Sequence, residues 1–347
     1  MTLRASRIEL PDAIAAIEYY YQMGWTDGLP VIPPTEERVQ EMLDMVDMAP
    51  DTVIGAIPER NRVFTAELVA INAVMAGCLP AYFPVVVAAV SAMCDPAFGL
   101  HGPSASTHGP AILIIVNGPV AQAIGMNAGQ NLFGPGNRAN ATIGRAIRLF
   151  LINAGGSREF DRSTLGHPGK YTYCIAERED TAWEPLHVQR GYDRDVSTVT
   201  VFAAEGPNQI NNHFALNAEN ILRTLADRMS GLGTFNMGGQ AEMAVVLCPE
   251  HYHTLHEQGW NKRTVQEFLY EHAARPLSDL KKGGYLEQPV QPEDEHTLVR
   301  AVQSPEDILL LVAGGDAGRF SACIPGWFGT SISRAVTKAI REATCGT

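Results

Sequence analysis

The sequence predicts an α/β fold with mixed or mainly parallel sheets and packed helices. Three observations carry that prediction. Short, uncharged, β-branched runs recur along the chain, segments with helical spacing separate several of them, and Gly-, Pro- and Asn-rich turns punctuate both. The strand-like runs are AILIIV (111–116), YTYCIA (171–176), STVTVFAA (197–204), MAVVLC (243–248) and DILLLVA (307–313). AILIIV stands between Pro110 and Asn117-Gly118-Pro119, the pattern of a strand buried on both faces.

Helices fill the intervals. After a loose arm of ten residues, an amphipathic pattern covers Pro11 to Met23. Asp27-Gly28 marks a turn, Pro33-Pro34 cannot continue a helix, and Thr35 caps the next one, through Met45. Glu36 and Glu37 then face the positive end of its dipole. Thr65 opens TAELVAINAVMAGC, which is apolar around most of its circumference and stops at Gly77. Pro80 and Pro84 frame a second apolar helix through Met93. Further helices are expected over Leu216 to Met229, Pro249 to Gln258, and from Asn261 to Ala274.

The stretch 180–196 breaks the apolar periodicity and suggests a boundary between two intimately packed subdomains, residues 1–180 and 181–347. Residues 279–304 read as an exposed connection. The apolar helices between 65 and 93 need covering, which a second copy would provide, so a homo-oligomer is expected.

The 347 residues carry a formal charge of −12, against non-specific nucleic-acid binding. No apolar run approaches the roughly 18 residues of a membrane span, and the first residues lack a signal-peptide pattern. The six cysteines form no CxxC pair, as expected of reduced thiols in a cytoplasmic protein. Positive charge is mostly arginine, which suits planar recognition of anions.

Ligands of open α/β sheets usually sit beyond the carboxyl ends of the strands. The loops expected there are Asn117-Gly118-Pro119, Glu205-Gly206-Pro207-Asn208, Pro249-Glu250-His251 and Gly314-Gly315-Asp316. The other polar concentration is GPGNRANATIGRAIRLFLINAGG, residues 134–156. Asn137 or a neighbour caps its helix. Arg138 and Arg145 lie nearly on one face, close to Arg148. Gly144 omits a side chain where a ligand or another backbone comes close. The amides of the helix start, with Asn137, Arg138, Asn140 and Arg145, suit a carboxylate or phosphate. The spacing matches neither the P-loop nor the dinucleotide fingerprint, so the cofactor stays open.

Candidate reactive groups come from elsewhere. Cys78 follows Gly77 and precedes an apolar helix whose amino end would stabilise a thiolate, while the carboxyl end of the helix before it would oppose one. Cys323 is a second thiol in polar, glycine-rich surroundings. Asn72 and His108 are possible polarising or proton-transfer partners. Lys170, Glu205 and Asn208 complete the expected substrate-binding set. Glu177 and Glu179 point the same way after YTYCIA, either as a carboxylate pair or as a solvated strand end. Three readings follow. The first is an enzyme for a small anionic organic substrate, of lyase, hydrolase or thiol-dependent redox type. The second is a metal-dependent hydrolase or lyase built on His101, His108, His187 and His213. The third is a non-catalytic subunit that binds a ligand or a redox partner.

WTDGLPVIPPTEERV, AINAVMAGCLP, GPGNRANATIGRAIRL, GHPGKYTYCIAE, WEPLHVQRGY and STVTVFAAEGP resemble a largely uncharacterised bacterial family associated with proteins bearing a UGSC selenocysteine/cysteine motif. The resemblance spans most of residues 20–320. It implies thiol or selenol redox chemistry, although this chain has no UGSC or CGSC motif of its own and no catalytic residue carries over.

Overall fold

Apolar alternation along the strands explains the layering seen in the computed structural model, which describes residues 3–341. Cys345 lies outside the described residues. The strands are β1 (Val53–Ile57), β2 (Arg62–Thr65), β3 (Ala111–Asn117), β4 (Cys174–Ala176), β5 (Thr198–Ala204), β6 (Asn208–Asn211), β7 (Met243–Leu247), β8 (Ala274–Pro276), β9 (Leu298–Arg300), β10 (Ile308–Val312), β11 (Phe320–Pro325) and β12 (Val336–Ala339). Two four-stranded mixed sheets dominate, ordered β12-β5-β3-β4 and β10-β7-β11-β6. β1–β2 and β8–β9 form small antiparallel pairs, so 279–304, expected as an exposed connection, is partly structured.

The helices of more than two turns are α1 (Ala13–Gln22), α2 (Glu36–Met45), α3 (Ala66–Ala76), α4 (Phe83–Met93), α5 (Arg138–Asn153), α6 (Ala218–Met229), α7 (Pro249–Glu257) and α8 (Lys262–His272). Side-chain caps set several starts. Asp12 accepts from Ala15 N, so α1 begins two residues later than expected, and Asn217 accepts from Asn220 N, which moves α6 forward likewise. Thr35, Thr65 and Asn261 cap as the sequence indicated.

Alternate residues of β3 serve different cores. Ile112, Ile114 and Val116 pack with α3, α4 and α5, whereas Ala111, Leu113 and Ile115 meet the second sheet. In β7, Ala244 and Val246 join that inter-sheet core, while Met243, Val245 and Leu247 pack under α6 and α8. The result is a helix–sheet–sheet–helix stack. Leu113 touches the second sheet and Ile114 the helices, so neither face of β3 tolerates charge.

Three features of the fold bear on the expectations. The sheet that contains β3 and β4 also takes β5 and β12 from beyond residue 180, so the expected 1–180 and 181–347 division does not follow the sheets. β5 also runs antiparallel to β3, with Ala111 opposite Ala204 and Asn117 opposite Thr198. The Glu205 loop therefore lies at the amino end of β3, opposite to Asn117. The apolar helices α3 and α4 are covered by α2, α5 and the sheet, which removes the physical reason for a second copy there. Among the described residues no helix is long and apolar enough to cross a membrane.

Candidate functional site

The amino end of β3 gathers three loops. His108 precedes β3, residues 161–170 precede β4, and Glu205 follows β5. Gly109, at φ +76, lets Ser163 come close: a Cβ built on it would stand 2.7 Å from the Ser163 Cβ. Thr164 N also donates to Thr107 O at 2.8 Å, so two loops are stitched side by side.

His108 Nε2 lies 3.1 Å from Glu205 Oε1, with the two side chains 24% and 21% exposed. If the carboxylate is ionised, Nε2 carries the hydrogen and Nδ1 is left as a bare acceptor. Among the described residues Nδ1, which is itself buried, has no hydrogen-bond partner. The Phe235 ring stands edge-on to the imidazole at 4.6 Å, and Tyr173 Oη donates to Glu205 O at 3.1 Å. His167 braces the arrangement. Its Nδ1 accepts from Gly169 N (3.2 Å), which leaves Nε2–H to donate to Ala204 O (3.1 Å). Burial holds its pKa below the ordinary range, against the pull of the Ala204 carbonyl, so it is neutral.

Beside this pair, Lys170 Nζ and Arg148 Nη2 share the Asp161 carboxylate, at 2.8 and 3.3 Å. Two cations meet one anion here, and the Glu205 carboxylate of the neighbouring pair balances the second. Burial works to raise the Asp161 carboxyl, but hydrogen bonds from Lys170 and Ser163 outweigh it and hold it below the usual range. Burial lowers the Lys170 ammonium, and Asp161 opposes that shift. Ser163 Oγ bonds both Asp161 and Lys170. Arg148, Asp161, Lys170, Ser104 and Gly169 border a cavity of about 20 Å³.

The other expected residues fall elsewhere. Arg138 donates through Nε and Nη2 to Gly77 O at 3.1 and 2.9 Å, closing the end of α3. Arg145 holds Asp27 through two bonds of 2.8 Å and also reaches Pro30 O. Asn137 caps α5 by accepting from Asn140 N and donates to Gly125 O. Asn140 bonds both the N–H and the C=O of Asn127 at 2.9 Å. These side chains fasten loops, so the expected anion cradle is largely occupied by the protein itself. Gly144 meets another backbone: a Cβ there would lie 2.6 Å from Tyr173 N. Asn208 accepts from Arg228 at 2.7 Å.

Cys78, His108 and Asn72 have separate neighbourhoods. Cys78 is buried, and burial pushes its thiol up to about 12, against weaker pulls from the Thr142 hydroxyl and Arg138. Burial raises Cys323 equally, to about 12. Asn72 bonds Asn153 and Leu68. The histidines of the metal reading are also apart. His101 accepts from Arg60, His187 bonds Arg194 O, and His213 bonds Asn211. Among the described residues no group of three or more His, Cys, Asp or Glu is set to hold a metal.

At the opposite end of β3, Glu177 is buried rather than solvated. It lies 3.4 Å from Lys262 Nζ and accepts from Asn117 Nδ2 and Leu186 N, both at 2.7 Å. Glu179 accepts from Gly118 N at 2.7 Å. His167 is the residue that the sequence reading passed over. Its signal was the string GHPGK, whose histidine caps the turn that follows it. No protein-family model matches the chain, and neither the curated proteins nor the solved structures yield a match.

Proposed function

We propose that the chain is an enzyme that performs acid–base chemistry, as a hydrolase or lyase, on a small anionic organic substrate at the amino end of β3. His108 is the proton-transfer group. Glu205 orients its ring and stabilises the imidazolium that forms when Nδ1 takes a proton, the role a carboxylate plays beside a catalytic histidine. Arg148 and Lys170 are the cations available to an anionic group, and His167 fixes the loops that hold the pair. The observation that carries this reading is the Glu205-bound imidazole whose other nitrogen lacks a partner.

The thiol route has weaker support, because a thiol held at about 12 is almost entirely protonated at neutral pH. The test is turnover of a panel of small carboxylate and phosphate esters and β-hydroxy acids. His108→Gln should lower kcat/KM by roughly 100-fold or more, whereas Cys78→Ser should stay near wild type. Wild-type turnover by His108→Gln would sink the proposal, and loss confined to Cys78→Ser would restore the thiol route.

A further inference from the structure

The N-terminal arm, residues 3–10, is strapped to the helical layer. Glu67, at the start of α3 and 5% exposed, accepts from Arg4 N and Ala5 N, each at 2.9 Å. Arg4 also reaches Asp51 at 2.6 Å, and Arg7 pairs with Glu36. The arm thus crosses between α1, α2 and α3, and it borders a cavity of about 630 Å³. That volume lies in the range of small-molecule pockets.

Its walls are aromatic and aliphatic, from Tyr19, Tyr20, Trp25, Leu68, Ile71 and Met75. Trp25 stands 6.0 Å from Tyr19 and 5.9 Å from Tyr20, an arrangement that offers ring faces and edges to a planar guest. The polar element is Asn72, on α3 and 2% exposed. Its Oδ1 accepts from Asn153 Nδ2 at 2.8 Å, and its Nδ2 donates to Leu68 O at 2.9 Å. Asn153 in turn donates to Trp25 O and accepts from Arg158, both at 3.1 Å, so its own orientation is fixed and it fixes Asn72. A side-chain amide has two N–H donors and two lone pairs. Among the described residues Asn72 therefore keeps one donor and one lone pair unspent at the wall of a largely apolar cavity.

We infer that this arm-covered cavity binds a neutral, ring-bearing small molecule with a carboxamide-like donor–acceptor edge. The ring sits among Tyr19, Tyr20 and Trp25, and the edge pairs with Asn72. Charge argues for a neutral guest, because Glu36 and Glu67 line the cavity and Arg7, the one lining cation among the described residues, is paired with Glu36. The cavity shares no lining residue with the His108–Glu205 pair and does not depend on the activity proposed there.

Calorimetric titration of the full chain with benzamide, and with benzoate at neutral pH, tests this. Benzamide should bind saturably at one site, and benzoate at least about tenfold more weakly, since its charge must be buried without a partner. Leu68→Trp and Ser6→Trp fill the cavity from its wall and from the arm. Both residues have exposed surface, and Ser6 lies outside the core, so Ser6→Trp keeps the test alive if Leu68→Trp fails to fold. Either substitution in a folded protein should abolish benzamide binding. Absent saturation, binding unchanged in both variants, or benzoate equal to benzamide would each overturn the proposal.

Discussion

The two ends of β3 hold polar groups of similar kind under different conditions. At the carboxyl end, Glu177 and Lys262 are 3% and 6% exposed and face one another across the two sheets, since Lys262 comes from α8. Lys262 also donates to Glu184 O at 2.8 Å. His187 is wholly buried there, and among the described residues its Nδ1 has no hydrogen-bond partner, with the Glu179 carboxylate 3.9 Å away. At the amino end, His108 and Glu205 keep about a fifth to a quarter of their side-chain surface, so that the ring reaches the surface even though its unpartnered Nδ1 is itself buried. The first arrangement fastens layers together. The second leaves a histidine–carboxylate pair partly open to solvent.

Buried glutamates sharpen the contrast. Glu177 has an ammonium within reach, but Glu242, just before β7, has no ion-pair partner within 4 Å among the described residues. Its carboxylate accepts from Ala335 N, while Arg190 and Arg334 act from farther away. Burial dominates and raises its pKa to about 7.

The largest effect is expected at the paired end. Lys262→Met leaves the Glu177 charge uncompensated and should cost about 3–5 kcal/mol in urea unfolding. Adding Glu177→Gln should recover most of that loss. If the single and double variants are equally unstable, the pair does not fasten the layers.

Glu242 gives the next effect, with a defined sign. The folded protein holds this proton up to about pH 7, whereas an ordinary glutamate releases it at 4.5. Its contribution to stability is complete below the lower value and is lost as pH rises through the higher one. Glu242→Gln removes that dependence, so the variant should gain on the order of 3 kcal/mol relative to wild type between about pH 4 and about pH 8. Parallel pH profiles for the two proteins would show that the carboxyl is already ionised.

The smallest stability change belongs to the catalytic candidate. His108→Gln should stay within about 0.5 kcal/mol of wild type, as for a partly exposed substitution outside the core. A larger loss would make the His108–Glu205 pair structural, and would erase the distinction between the two ends.

Much of the fold was legible in the sequence. Ile112, Ile114 and Val116 alternate with Leu113 and Ile115, and each set found an apolar layer. Thr65 and Asn261 capped the helices they preceded. Gly144 was legible as a point of close approach, because a missing Cβ has a local cause. Strand direction was not legible: STVTVFAA has the same buried pattern running either way, yet its direction decides that Glu205 meets His108 and not Asn117. The target of Arg138 was hidden for a related reason. A guanidinium reads alike whether it meets a ligand carboxylate or, as here, the carbonyl of Gly77.

The sheet that takes strands from both sides of residue 180 has a consequence for biosynthesis. Thr200 on β5 bonds Thr337 on β12 at 2.8 Å across 137 residues, and Val336 and Ile340 belong to the core beneath α3, α4 and α5. The ribosome must deliver the chain through β12 before the layer that holds α3, α4 and α5 can close. Until then α4, with Phe83, Val86 and Val90 wholly buried in the finished protein, lacks part of its cover. Such high-separation pairing folds slowly and exposes apolar surface on the way. A chain stopped a few residues before β12 should therefore be a chaperone client, although it contains every residue of the site at the amino end of β3.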